Sequence, residues 1–328
     1  MSAAPRVVTV GHAIVDILAT VPDDLVAGFG LTKGTMTLVE EDRSEAMYST
    51  LTGTIAVSGG SAANTAVGVA EMGARTSFVG KVRDDELGRI FADDIRAAGV
   101  DFDVPFGDEG PGTGRCIVLV TSDAEKTMCT TLGIGDLLAS SDIDVGVVAG
   151  ADVVYLEGYL CGLPSTAATV ERTISSAEAA GTLVSLSLSD PFWVELHGDA
   201  MDAVLDRVDL LFGNEQEACG MAGTDDFEKA LGILSRRCAT VALTRGAAGS
   251  VVAASGRVTE VPAEAVARVI DTTGAGDLFA AGYLYGLVSG HDAALCARLG
   301  AIAAAEAISH MGARPQIPLA PLIARRLA

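Results

Sequence analysis

The chain reads as a three-layer α/β/α domain with a mostly parallel central sheet and a small β-sheet lid. Three observations predict this. Short apolar, β-branched runs at 6–11, 76–82, 152–158, 182–189, 208–214 and 240–246 alternate with helical-period stretches at 61–73, 165–180, 226–237 and 276–308, the last broken near Gly290. Near-continuous apolar strands alternating with helices imply a parallel sheet covered on both faces. Two regions, about 16–55 and 101–133, interrupt the alternation, and "GTGRCIVLVTSDAEKTMCTTLG" within the second reads as two strands joined by a turn at Ser122-Asp123-Ala124. No low-complexity or Pro/Ser-rich linker divides the 328 residues, so 1–328 forms one domain with the lid inserted in it.

Composition narrows the function. Hydrophobic residues make up 49% of the chain, ample for a core, yet no uninterrupted apolar run is long enough to cross a membrane, and Met1 to Arg6 lacks the layout of a signal peptide. A soluble, cytoplasmic protein is expected. The formal net charge of -21 argues against nucleic acid and anionic membranes, because counterion release needs clustered Lys and Arg. The six cysteines are scattered without a C-x-x-C pair, and read as reduced thiols rather than a metal site or disulfide framework.

Taken in chain order, the first strand ends at Gly11 and is followed by Asp16, a carboxylate able to accept hydrogen bonds from neighbouring hydroxyls. In "AVSGGSAANTAVG", Gly59 and Gly60 let a ligand approach the backbone, and Asn64 offers a donor and an acceptor to a polyol; a glycine turn before an Ala-rich helix is the plainer alternative. The charge run "RDDE" at 83–86 reads as a solvated loop, and Gly181 as the stop of the helix before it.

"FGNEQEA" places Asn214 and Glu217 at a strand end. They suit a hydrated Mg²⁺, or a helix capping box, and both readings can hold together. "LTRGAAGS" offers Thr244, Gly246 and Gly249 to a nucleotide phosphate, although a hairpin turn explains the glycines equally well. Finally, "VIDTTGAGDLFAAGYLYGL" sets Gly274, Ala275, Gly276 and Asp277 at the mouth of an apolar helix. Glycines there aim unpaired amides outward at the positive helix terminus, which makes an anion site; Asp277 alone would also complement the dipole.

In this order, G-G-x-x-x-N at 59–64, Asn214-x-x-Glu217, Thr244-x-Gly246 and D-T-x-G-A-G-D at 271–277 resemble the ribokinase-like, or PfkB, family of carbohydrate and nucleoside kinases, from about Val7 to Pro318. The resemblance implies a ribokinase-like fold and ATP-dependent phosphoryl transfer to a primary hydroxyl. Asp277 would take the hydroxyl proton and the amides of Gly274, Ala275 and Gly276 would form the anion hole. Asp16, Gly59, Gly60 and Asn64 would hold the acceptor; Asn214 and Glu217 would position Mg²⁺ through water; Thr244, Gly246 and Gly249 would meet ATP. A monovalent cation such as K⁺ would lie beside Asp271 and Thr273, near "AISHMGARPQ".

"SLSLSDPFWVELH" and "GTGRCIVLV" are most similar to the adenosine-kinase-like branch, with two departures. His12 stands where that branch usually has Asn, and "EGYLCGLP" offers Tyr159 followed by Leu160 and Cys161 where eukaryotic members carry aromatics. The expected reaction is therefore 5′-phosphorylation of a nucleoside, adenosine foremost. A sugar kinase taking a ribose-, fructose- or ketodeoxygluconate-like acceptor is the alternative. A non-catalytic nucleoside- or sugar-binding regulator is a third reading, opposed by the survival of Asp277 and the Asn214/Glu217 pair. Small molecules are the expected partners, and the chain is a monomer or homodimer.

Overall fold

The computed structural model describes residues 6–123 and 125–328. In chain order the strands are β1 (Arg6–Val10), β2 (Ile14–Thr20), β3 (Met36–Leu38), β4 (Ile55–Gly59), β5 (Arg75–Val79), β6 (Thr113–Val120), β7 (Lys126–Gly133), β8 (Val153–Glu157), β9 (Leu183–Ser187), β10 (Leu210–Asn214), β11 (Thr240–Thr244), β12 (Ser250–Ala254) and β13 (Arg257–Val261). The main sheet has the order β13-β12-β11-β10-β9-β8-β1-β5. It is parallel from β5 through β11, and β12 and β13 add on antiparallel. All six expected strands belong to it. Because the parallel strands point one way, Gly11, Glu157, Ser187, Asn214 and Thr244 share one edge, the edge where such sheets bind ligands.

Side-chain burial explains the apolar runs. Val7, Val8, Val10, Val153, Val154 and Leu156 are buried between covering helices, so neither face of these strands alternates with polar residues. The helix Ser61–Glu71 packs on the helix Ala275–Val288, and a Cβ at Gly68 would lie 2.7 Å from the Ala281 Cβ, so glycine there sets how closely the two helices approach. The expected break in the long helical stretch falls at Gly290, with φ of 78°, after which the Asp292 carboxylate caps Ala293–Ala307 by accepting from the Leu295 amide at 2.9 Å. Gly181 ends Ala167–Ala180 in the left-handed region, as expected.

The charge run at 83–86 departs from its expected role as a solvated loop. Asp85 caps the helix Glu86–Ala97, accepting from the Gly88 amide at 2.7 Å, and also accepts from both the amide and the hydroxyl of Thr113 at the root of β6. One short carboxylate thus satisfies donors from two elements.

The second sheet has the order β3-β7-β6-β2-β4. It draws on 14–59 and 113–133, whereas 101–112 runs beside the main sheet, where the Phe78 amide donates to Asp101 O and Gly107 to Val82 O. β6 and β7 form the expected antiparallel pair, closed by the Thr121 amide donating to Glu125 O at 3.0 Å; Ala124, expected in the turn, lies outside the described residues. Strand alternation gives this sheet two apolar faces. Val21, Ile117, Leu119 and Cys129 pack beneath the helices Asp23–Gly28 and Glu41–Tyr48, while Ile14, Leu18, Cys116, Val118, Met128 and Leu132 lie on the other face, the one that carries Asp16.

Candidate active site

The site is assembled where the lid meets the edge of the main sheet. Gly274, with φ of 76°, opens the helix that carries Asp277 in its first turn, and a Cβ there would sit 2.6 Å from that of Ala313. Only glycine meets both requirements. The Ala275 amide donates to Thr272 O at 3.2 Å, whereas the amides of Gly276 and Asp277 have no backbone partner among the described residues. They face outward at the helix terminus, an arrangement that attracts an anion. A Cβ at Gly276 would meet nothing, so that residue is set by access rather than packing.

The Asp277 carboxylate accepts from the Ser61 hydroxyl at 2.6 Å through Oδ1 and from Asn64 Nδ2 at 3.0 Å through Oδ2. Ser61 and Asn64 are three residues apart, so they present one helix face to Asp277. Burial pushes the Asp277 carboxyl up to about 6 against these hydrogen bonds and the Arg314 charge. Asn64, expected to serve a polyol, also accepts from Arg314 Nε at 2.8 Å, which leaves one amide hydrogen for an acceptor molecule. Arg314 Nη2 donates to Ser58 Oγ at 2.9 Å, and Ser58 in turn donates to Asp94.

Asp16 projects from the cleft face of β2. A Cβ at Gly59 would lie 2.5 Å from Asp16 Oδ2, and one at Gly60, with φ of 95°, would lie 2.4 Å from His12 O, so the two glycines are shaped by the acid and the turn beside them. Burial raises the Asp16 carboxyl to about 6, with Arg314 and Lys126 opposing and Asp277 adding to the rise. The Asp16 and Asp277 carboxyls thus both rise on burial, and the Arg314 charge opposes the rise of each.

Asn214 and Glu217 form the capping box outright. The Asn214 amide and Nδ2 donate to the two Glu217 oxygens at 2.9 and 2.6 Å, and the Glu217 amide donates back to Asn214 Oδ1 at 2.9 Å. Glu217 is 5% exposed, and burial, with the fields of Asp190 and Asp277, raises its carboxyl to about 7. Asn214 pairs with Thr244 on the adjacent strand end, so the candidate metal and nucleotide residues are neighbours. Gly246 follows with φ of 54°, whereas a Cβ at Gly249 would come within 2.1 Å of Val261 O, so Gly249 serves the turn into β12.

Three residues of this centre escaped sequence reasoning: Ser61, Arg314 and Glu157. The last ends β8 with 1% exposure, accepts from the His12 and Ala62 amides at 2.6 and 3.0 Å, and lies 2.6 Å from His12 Nδ1. His12 Nε2 reaches Asp136 at 3.0 Å. Burial lowers the basicity of the imidazole, but the hydrogen bonds to Asp136 and Glu157 override it and raise His12 to about 9. His12 therefore ties the main sheet to the 3-10 turn Ile134–Leu137 that follows the lid. Spacing offered a signal only for Ser61, one helical turn before Asn64.

A carboxylate, a helix terminus open to anions and a covering lid are the parts that phosphoryl transfer to a hydroxyl requires, and the chain is a phosphotransferase of that class. Residues 6–320 match the pfkB family carbohydrate kinase, and the chain belongs to that family. It superposes on the adenosine kinase of Sinorhizobium meliloti with a TM-score of 0.91 at 41% identity, covering 99% of this chain and 100% of that one. A probable sugar kinase from Rhizobium etli gives 0.91 at 38% identity, with 99% of each chain covered. An uncharacterized sugar kinase of Archaeoglobus fulgidus is 32% identical over 260 residues, 77% of this chain and 98% of that protein. The fold expected from the sequence is thereby borne out, and no helix among the described residues is long and apolar enough to cross a membrane.

Proposed function

We propose that the protein transfers the γ-phosphoryl group of ATP to the 5′-hydroxyl of a nucleoside, adenosine foremost. The observation that carries this reading is the apolar face of the lid around Asp16. Leu18, Val118, Met128 and Leu132 lie on the lid face that also bears Asp16. Tyr159, which follows β8 at the ligand edge of the main sheet and packs edge-on against Trp193 with centroids 5.6 Å apart, is the aromatic residue this reading assigns to the base. A free sugar has hydroxyls on every side and gains little from such a surface. A base burying roughly 100 Å² against it gains ~2.5 kcal/mol, close to two orders of magnitude in affinity.

In this reading Asp16, Gly59, Gly60 and Asn64 hold the ribose, and Asp277 accepts the 5′-hydroxyl proton. The free amides of Gly276 and Asp277 face the charge that grows on the transferring group, while the Ala275 amide is turned back to Thr272 O. Thr244 and Gly246 meet the nucleotide. A cation nearby would offset the burial that raises the Glu217 carboxyl, and Asn214 and Glu217 would hold Mg²⁺ through water; the ion would neutralise charge on the phosphate oxygens.

ADP release with Mg²⁺-ATP, compared across adenosine, inosine, guanosine, cytidine, ribose, fructose and 2-keto-3-deoxygluconate, tests the proposal. Adenosine should exceed ribose by about 10²-fold in kcat/KM. Higher turnover on a free sugar would move the protein to the sugar-kinase reading, which the Rhizobium etli and Archaeoglobus fulgidus relatives favour by name.

The lid also bears on assembly. Its outer face is covered by Asp23–Gly28 and Glu41–Tyr48, which bury Val21, Ile117, Leu119 and Cys129. A monomer is expected, with a sedimentation mass near 33.3 kDa. A mass twice that would refute it.

A further inference from the structure

The monovalent cation expected beside Asp271 and Thr273 meets a carboxylate that is already occupied. Asp271 Oδ1 accepts from the Thr273 amide at 3.1 Å and the Thr273 hydroxyl at 2.7 Å. Oδ2 accepts from the Gly312 amide at 2.7 Å and is ion-paired with Lys126 Nζ. Four donors fill the approximately four lone-pair positions of a carboxylate. Both partners of the ion pair are largely removed from solvent, with Asp271 7% and Lys126 12% exposed.

Lys126 is the first residue of β7 and pairs with Val120, so it projects from the cleft face of the lid and crosses to the turn that opens the anion site. We propose that the Lys126 ammonium stands in for the monovalent cation in this chain, so that the lid itself orders the 271–276 turn and turnover needs no K⁺. A cation there would do two things: neutralise Asp271 and join the turn to the 307–316 loop. Lys126 does the first and the Gly312 amide does the second.

An alkali cation entering beside Asp271 would have to displace the ammonium or sit next to a like charge, and both are unfavourable in a half-dry site. Lys126 is thus a positioning residue, acting through Asp271 and its turn on the open amides of Gly276 and Asp277.

The inference rests on the kinase reading of this site, and its test has one arm that needs no acceptor. Turnover and thermal midpoint would be measured in saturating KCl and in tetramethylammonium chloride. The wild-type protein should differ by less than about twofold in turnover and show no K⁺-specific midpoint shift. Lys126→Met should lose about 10²-fold in turnover without alkali cation, recover part of it in KCl, and gain a K⁺-specific rise in midpoint. Lys126→Arg should behave as wild type. Strong K⁺ activation of the wild-type protein would overturn the proposal, and so would a folded Lys126→Met indifferent to K⁺ in both measurements. Absence of turnover on nucleosides would count against the acceptor reading alone, since the midpoint arm still decides this one.

Discussion

Asp277→Asn is expected to lower kcat by about 10²–10⁴-fold with the fold intact, the range for removing a general base. The substitution is nearly isosteric. The new amide can still accept from Asn64 and donate to the freely rotating Ser61 hydroxyl, so the local packing persists while the proton acceptor is gone. The stability effect has the opposite sign. The Asp277 carboxyl lies near 6 in the fold against an ordinary value of 3.8. The folded state therefore holds the proton more tightly, and the stabilisation this brings is present below about 3.8 and lost as pH rises through about 6. At neutral pH the charged carboxylate costs stability, and the variant should melt at or above the wild-type temperature.

The pH profile gives an independent check. In the wild-type protein kcat/KM should climb with pH and level off above about 6, with an apparent value shared between Asp16 and Asp277. Activity within tenfold of wild type in Asp277→Asn would remove the general-base role.

Glu157→Leu is expected to cost about 3–5 kcal/mol in unfolding free energy, because it strips the partner from a buried charge and from two backbone amides at once. The carboxylate lies hard against the end of β1: a Cβ at Gly11 would fall 2.2 Å from Glu157 Oε2. Glu157→Gln, which keeps the shape and one acceptor oxygen, should lose much less.

His12 adds a pH signature. Its folded value is raised from 6.5 to about 9, so its contribution is complete below about 6.5 and disappears as pH rises through about 9. Urea unfolding across that window should show the wild-type protein weakening with pH, with a shallower slope in Glu157→Leu. A loss below about 1 kcal/mol at neutral pH would show that the hub is ornamental.

Much of the fold could be read along the chain because its signals are local. Six apolar runs marked strands buried on both faces, and Gly181 and Gly290 marked helix ends through a conformation only glycine adopts cheaply. The antiparallel β12–β13 pair lies outside the six expected strands although Ser255 and Gly256, with φ of 51° and 72°, form a tight hairpin turn within "ASGR". The helix Pro191–Leu205 was hidden because Asp190-Pro191 reads as a turn when it is in fact a cap followed by proline at the first helical position. The run at 83–86 read as solvent-facing because a charged cluster usually is; Asp85 instead found two donors on Thr113.

What the sequence determined by itself is the set of parts: the glycines that open a helix at 274–276, the carboxylate in its first turn, and the Asn214-x-x-Glu217 cap, each defined by spacing within a few residues. What only the tertiary structure decided is which charges meet. Arg314 reaches Asn64, Lys126 reaches Asp271, and Glu157 gathers His12 and Ala62, pairings separated by 250, 145, 145 and 95 residues. No local pattern encodes such contacts. A long charged side chain is stable in water, and it becomes a buried partner only when the packing of distant elements removes the water and supplies the opposite charge.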